Sequence, residues 1–123
     1  MTKKLLATAA MLLFLLGCAT TLTNLTSTTQ RRNPKNLYSI EYQWDTTQQT
    51  IKPDSIKPFV VVGFDTYEMT QTLKMTNRWE ALVPAGPDKD VIIYRFKVDY
   101  EYTRFGKPGK ASKGSEEYKL YIK

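Results

Sequence analysis

The stretch DVIIYRFKVDYEY, residues 90–102, constrains this chain more than any other feature. Ile92, Tyr94, Phe96, Val98, Tyr100 and Tyr102 fall on one side, and Arg95, Lys97, Asp99 and Glu101 on the other. A period of two is the signature of a strand with one face buried and one solvated. NLYSIEYQWD repeats the pattern, with Tyr38, Ile40, Tyr42 and Trp44 facing one way. PFVVVGF reads as a short buried strand, and Arg78–Val83 alternates Trp79, Ala81 and Val83 against Glu80 and Leu82. Thr70–Met75 is expected to pair with Arg78–Val83 across a turn at Thr76-Asn77, and the last strand carries Tyr118, Leu120 and Ile122 inward. TTQQTIKPDSIKP and PAGPD read as loop and turn, and FGKPGKASKGS, residues 105–115, as an exposed Gly/Lys-rich loop. No segment beyond the N-terminus has a helical period. Roughly six or seven strands in about 85 residues predict an all-β fold, a small antiparallel immunoglobulin-like β-sandwich.

The N-terminus has a different logic. Met1-Thr2-Lys3-Lys4 is a short positive segment, and Leu5–Leu16 is apolar. Twelve helical residues rise about 18 Å, short of the roughly 30 Å hydrocarbon core, so the pattern is that of a secretory signal and not of a spanning helix. Leu15-Leu16-Gly17-Cys18 resembles the lipobox of bacterial lipoproteins. That resemblance implies cleavage after residue 17, a diacylglycerol on the Cys18 thiol and an acylated amine, and hence attachment to a membrane. Ala19 is not the aspartate that marks inner-membrane retention in enteric bacteria, so the outer membrane is the expected location, with the domain facing the periplasm or the surface. Residues 18–36, with six threonines and no aromatic after Cys18, read as a flexible tether, and 37–123 as the folded domain.

Composition excludes several functions. The formal charge is +6, but Lys3 and Lys4 belong to the signal; without them 16 basic residues face 12 acids. A surplus of four is ordinary for a soluble surface and too small for a nucleic-acid binder. There is no histidine and only one cysteine, so no Ser-His or Cys-His nucleophile, internal disulfide or cysteine-based zinc cluster is expected. Asp88-x-Asp90 offers too few oxygens for calcium. Gly106-Lys107-Pro108-Gly109-Lys110-Ala111 lacks both the glycine spacing and the hydroxyl of a phosphate loop. No catalytic residue, metal site or cofactor is expected apart from the covalent lipid.

From Val60 to Tyr102 the order of features resembles the glycogen- and starch-binding modules found in the kinase β-subunit and beside α-amylase-type enzymes. The matching residues are Val61-Val62-Gly63-Phe64-Asp65-Thr66-Tyr67, Met75, Trp79-Glu80-Ala81-Leu82-Val83-Pro84 and Tyr94–Tyr102. The resemblance implies an immunoglobulin-like fold and places the family's two sugar-stacking aromatics at Tyr67 and Tyr102. The Asp-Gly turn of the family is replaced by Asp99-Tyr100, which predicts a strand running straight through Tyr102 and away from the family's binding surface.

Two functional expectations follow. The first is a non-catalytic, membrane-anchored interaction or accessory subunit of a bacterial envelope assembly. Its strand edges and a basic loop of Arg104, Lys107, Lys110 and Lys113 would meet a protein partner or lipopolysaccharide phosphates. The second is a glycan-binding module using Tyr67 and Tyr102.

Overall fold

A computed structural model describes residues 20–123; the expected signal segment and Cys18 lie outside the described residues. Ten strands follow in order: β1 (Thr20–Asn24), β2 (Thr29–Gln30), β3 (Leu37–Thr46), β4 (Lys57–Val62), β5 (Asp65–Glu68), β6 (Thr70–Gln71), β7 (Arg78–Pro84), β8 (Val91–Arg104), β9 (Lys107–Gly114) and β10 (Tyr118–Ile122). One sheet has the order β1-β3-β7-β6; the other runs β2-β10-β8-β4-β5, with β9 on β8. β9 and β10 both pair with β8, β10 along its first half and β9 along its second, and together act as one interrupted strand. Counted so, the sheets carry the ABED and GFC arrangement of an immunoglobulin-like sandwich, extended by β5 beside β4. All pairs are antiparallel except β2 with β10, which is parallel.

The core forms where the two long alternating strands face each other. Tyr38, Ile40, Tyr42 and Trp44 of β3 and Ile92, Tyr94, Phe96 and Val98 of β8 are all buried, joined by Val60, Val83, Leu120 and Ile122. The Tyr42 and Phe96 rings stack with centroids 5.0 Å apart, and Trp44 meets Tyr100 at 5.5 Å. Offset and tilted pairs at these separations add to the burial of the rings themselves. β3 and β8 therefore lie face to face and run in the same direction.

Three expectations are corrected. The segment read as a tether is largely paired chain from Thr20 onward. β1 registers on β3 from Thr20↔Thr46 to Asn24↔Tyr42, and Asn24 Nδ2 donates to the Tyr94 hydroxyl at 2.8 Å. Gln30 bonds both backbone groups of Ser39, and Arg32 pairs with Asp90 at 2.7 Å. Thr-rich chain cannot build a core, but it can close a backbone ladder on an existing sheet, for which β-branched residues are well suited. Residues 105–115 are not an open loop either, because Lys107–Gly114 is strand β9. The strand expected over Thr70–Met75 shortens to Thr70–Gln71, and Lys74 takes φ 64° in the turn that follows. The strand expected at PFVVVGF forms as β4 and turns at its end into β5: Val62 faces Asp65 across Gly63-Phe64, with Gly63 at φ 60°. A positive φ at the first turn residue alone is a type II′ turn, which glycine allows.

Candidate interaction surface

β8 outruns the sandwich. Its pairing with β4 ends at Lys57↔Asp99, whereas β9 follows it for eight registered pairs, from Lys97↔Gly114 to Arg104↔Lys107. The connection is Phe105-Gly106, with φ 52° and 74°, a type I′ turn whose twist suits a tight hairpin. Gly109 leaves room for the Tyr102 ring opposite it: a Cβ there would stand 2.7 Å from Cε2 of the tyrosine, so the ring would have to shift. The ring lies over bare backbone, an aromatic covering a glycine across a strand pair. On its other edge the extension is braced by chain 50–52: Lys52 donates to the Glu101 carbonyl and Thr103 to the Thr50 carbonyl, each at 2.9 Å.

These bonds fix the facing of every group on the hairpin. Glu101 and Thr103 point their backbone toward 50–52, so Tyr100, Tyr102 and Arg104 bond to β9 through Ala111, Gly109 and Lys107. The intervening residues of β9, namely Pro108, Lys110 and Ser112, turn their backbone outward. Among the described residues that outer edge has no strand partner. Pro108 contributes a carbonyl but no N–H.

Side chains directly opposite each other share a face. Arg104, Lys107 and Lys113 therefore project on the core-side face with Tyr100 and Tyr102, and Lys110 projects on the other with Glu101. The four cations expected in one mobile loop are held on a strand pair and divided between its faces. Lys113 is engaged, its Nζ donating to the Thr20 carbonyl at 2.7 Å. The outer face holds a shallow hollow of about 690 Å³ bordered by Asp54, Ser55, Asp99, Glu101, Lys110 and Ser112. Asp99 is engaged there, with Ser112 Oγ donating to it at 2.8 Å and Lys97 lying 3.6 Å from the same carboxylate, and Ser55 Oγ accepts the Glu101 N–H.

The two tyrosines expected to stack sugars do not share a surface. Tyr67 sits opposite Val60, which is itself opposite Phe96, and is half-buried against the core. Tyr102 lies six residues further along β8, about 20 Å away at roughly 3.3 Å per residue, with Gly109 under its ring. As expected from Tyr100, β8 runs unbroken through Tyr102. Asp90 of the Asp88-x-Asp90 turn is the partner of Arg32.

Sequence reasoning missed the free edge of β9 and the placement of Phe105. The Phe-Gly dipeptide between Arg104 and Lys107 was the available signal, since Gly at the second turn position favours type I′.

No protein-family model and no curated protein matches the chain. Among solved structures the chain is similar to murine CRIg, with a TM-score of 0.48 and 12% identity over 85% of this chain and 98% of that one. The immunoglobulin-like assignment rests on the strand order itself, in which the ABED and GFC sheets pack around β3 and β8.

Proposed function

We propose that this chain is a non-catalytic, lipid-anchored interaction module of a bacterial envelope, held at the outer membrane through acylated Cys18. The observation that carries the proposal is the outer edge of β9, an eight-residue strand with no strand partner among the described residues. An unpaired edge adds a strand from a partner at little structural cost, with backbone bonds giving affinity and alternate side chains giving specificity. Pro108 and Lys110 guard this edge against indiscriminate self-pairing, and they narrow its partner to an extended segment with acidic side chains. The lipobox resemblance of residues 15–18 supports the anchor.

Photo-cross-linking residues placed at Lys110 and Ser112 in the membrane-attached chain test this reading. Capture of one defined envelope protein at these positions, and not at Glu41 on the opposite sheet, is the expected result. Equal capture at all three positions would refute the assignment of the edge. A Cys18→Ser chain that still withstands carbonate washing of the membranes would refute the anchor.

A further inference from the structure

We propose that the tip of the β8–β9 hairpin, Arg104–Lys107, is a second membrane contact that seats the domain on an anionic phospholipid surface. The proposal rests on the reading of Cys18 as the lipid anchor.

The first observation is where the described chain starts. β1 runs antiparallel to β3 and places Thr20 opposite Thr46, at the end of β3. β3 and β8 run in the same direction, with Tyr42 against Phe96 and Trp44 against Tyr100. Thr20 thus stands at the end of the sandwich where β8 continues through Tyr102 to the tip. The bond from Lys113 Nζ to the Thr20 carbonyl ties the hairpin to the start of β1. Cys18 precedes Thr20 by two residues, a span of at most about 7 Å. A lipid on Cys18 brings the bilayer to this end of the fold and no other. The tip projects about 10 Å past Tyr102, three residues at roughly 3.3 Å each, at the same end of the sandwich as the start of β1.

The second observation is the chemistry of the tip. Phe105 is 93% exposed and holds φ 52°, a region that bulky side chains avoid. Among the described residues its ring partner is Arg104, whose guanidinium carbon lies 5.6 Å from the ring centre. Arg104 and Lys107 are directly opposite each other and exposed, and no acid occurs between Tyr102 and Gly114. An aromatic ring between two cations matches an interfacial contact, with the ring at the acyl boundary and the cations on headgroup phosphates. The opposite end of the sandwich supplies a contrast: Phe64 is 107% exposed at the β4–β5 turn, but it adjoins Asp65 and has no flanking cation.

The test uses the full chain, acylated in a lipoprotein-processing host and reconstituted into phosphatidylglycerol-containing vesicles with brominated acyl chains. Phe105→Trp and Phe64→Trp are compared, each after subtraction of the Trp44 and Trp79 signal of the unsubstituted chain. The tryptophan of Phe105→Trp is expected to be blue-shifted and quenched, and that of Phe64→Trp neither. Adding Arg104→Glu and Lys107→Glu, or replacing the anionic lipid with phosphatidylcholine, is expected to reverse the quenching. An unquenched Phe105→Trp on a chain that still floats with vesicles overturns the second contact and leaves the anchor standing. A chain that does not float overturns the anchor and this contact with it. A tip that is unquenched in vesicles, but cross-links to a protein in native envelopes, reassigns it to a protein partner.

Discussion

Replacing Phe105 with asparagine is expected to stabilise the fold while removing the hydrophobic tip. Phe105 occupies the first central position of a type I′ turn at φ 52°, where asparagine followed by glycine is the favoured pair. A left-handed conformation costs an ordinary L-residue roughly 1–2 kcal/mol, and asparagine much less because its short amide can bond locally. Little opposes this gain, because a ring that is 93% exposed has almost no burial to lose. Its contact with Arg104 at 5.6 Å is an exposed cation–π pair worth about 0.5–1 kcal/mol. The net expectation is a gain of about 0.5–1 kcal/mol, which for a domain of this size raises Tm by roughly 2–6 °C. Thermal unfolding followed by far-ultraviolet circular dichroism, checked against urea midpoints, measures it. A Phe105→Asn chain that melts below the parent would show that the ring contributes packing, and the reasoning that strain here is retained for a surface role would fail.

Three further outcomes are expected. Gly109→Val drives a side chain into the Tyr102 ring and is expected to destabilise the hairpin by about 1–3 kcal/mol, while Gly109→Val with Tyr102→Ala recovers part of the loss; urea denaturation of both variants checks this. Asn24→Ala removes the bond to the Tyr94 hydroxyl and is expected to cost about 1 kcal/mol, whereas a true tether at this position would give no change in the urea midpoint. Burial raises the Tyr42 phenol well above its ordinary value of 10, so its contribution to stability is complete below pH 10 and is lost as pH rises further and the unfolded chain ionises first. Tyr42→Phe, which keeps the stack on Phe96 and removes a buried hydroxyl without a hydrogen bond to any described residue, is expected to flatten the stability profile above pH 10 with a change under about 1 kcal/mol at pH 7.

The core was legible in residues 38–44 and 92–98 because burial on one face imposes a period of two, and a one-residue slip would turn every apolar side chain outward. The signal and lipobox pattern expected in residues 1–18 is equally local, a combination of charge, apolar length and one cysteine. β1, β2 and β9 were not legible. Thr20–Asn24 and Lys107–Gly114 have weak apolar alternation, and they are strands only because β3 and β8 offer unpaired backbone beside them. Strand pairing of this kind depends on a neighbour distant in sequence, which no window of residues contains.

The candidate surface divides in the same way. The sequence by itself determined that residues 104–113 would be basic, glycine-rich and solvent-facing, and that no histidine or second cysteine would be near. Only the tertiary structure decided that Lys110 would face away from Arg104, Lys107 and Lys113, because a two-residue turn sets the register and the register sets the face. It also decided that the hairpin and Thr20 would emerge at the same end of the sandwich. That placement follows from two sheets packing with β3 and β8 in one direction, a relation between strands separated by some fifty residues of chain and settled by the burial of the aromatic rings between them.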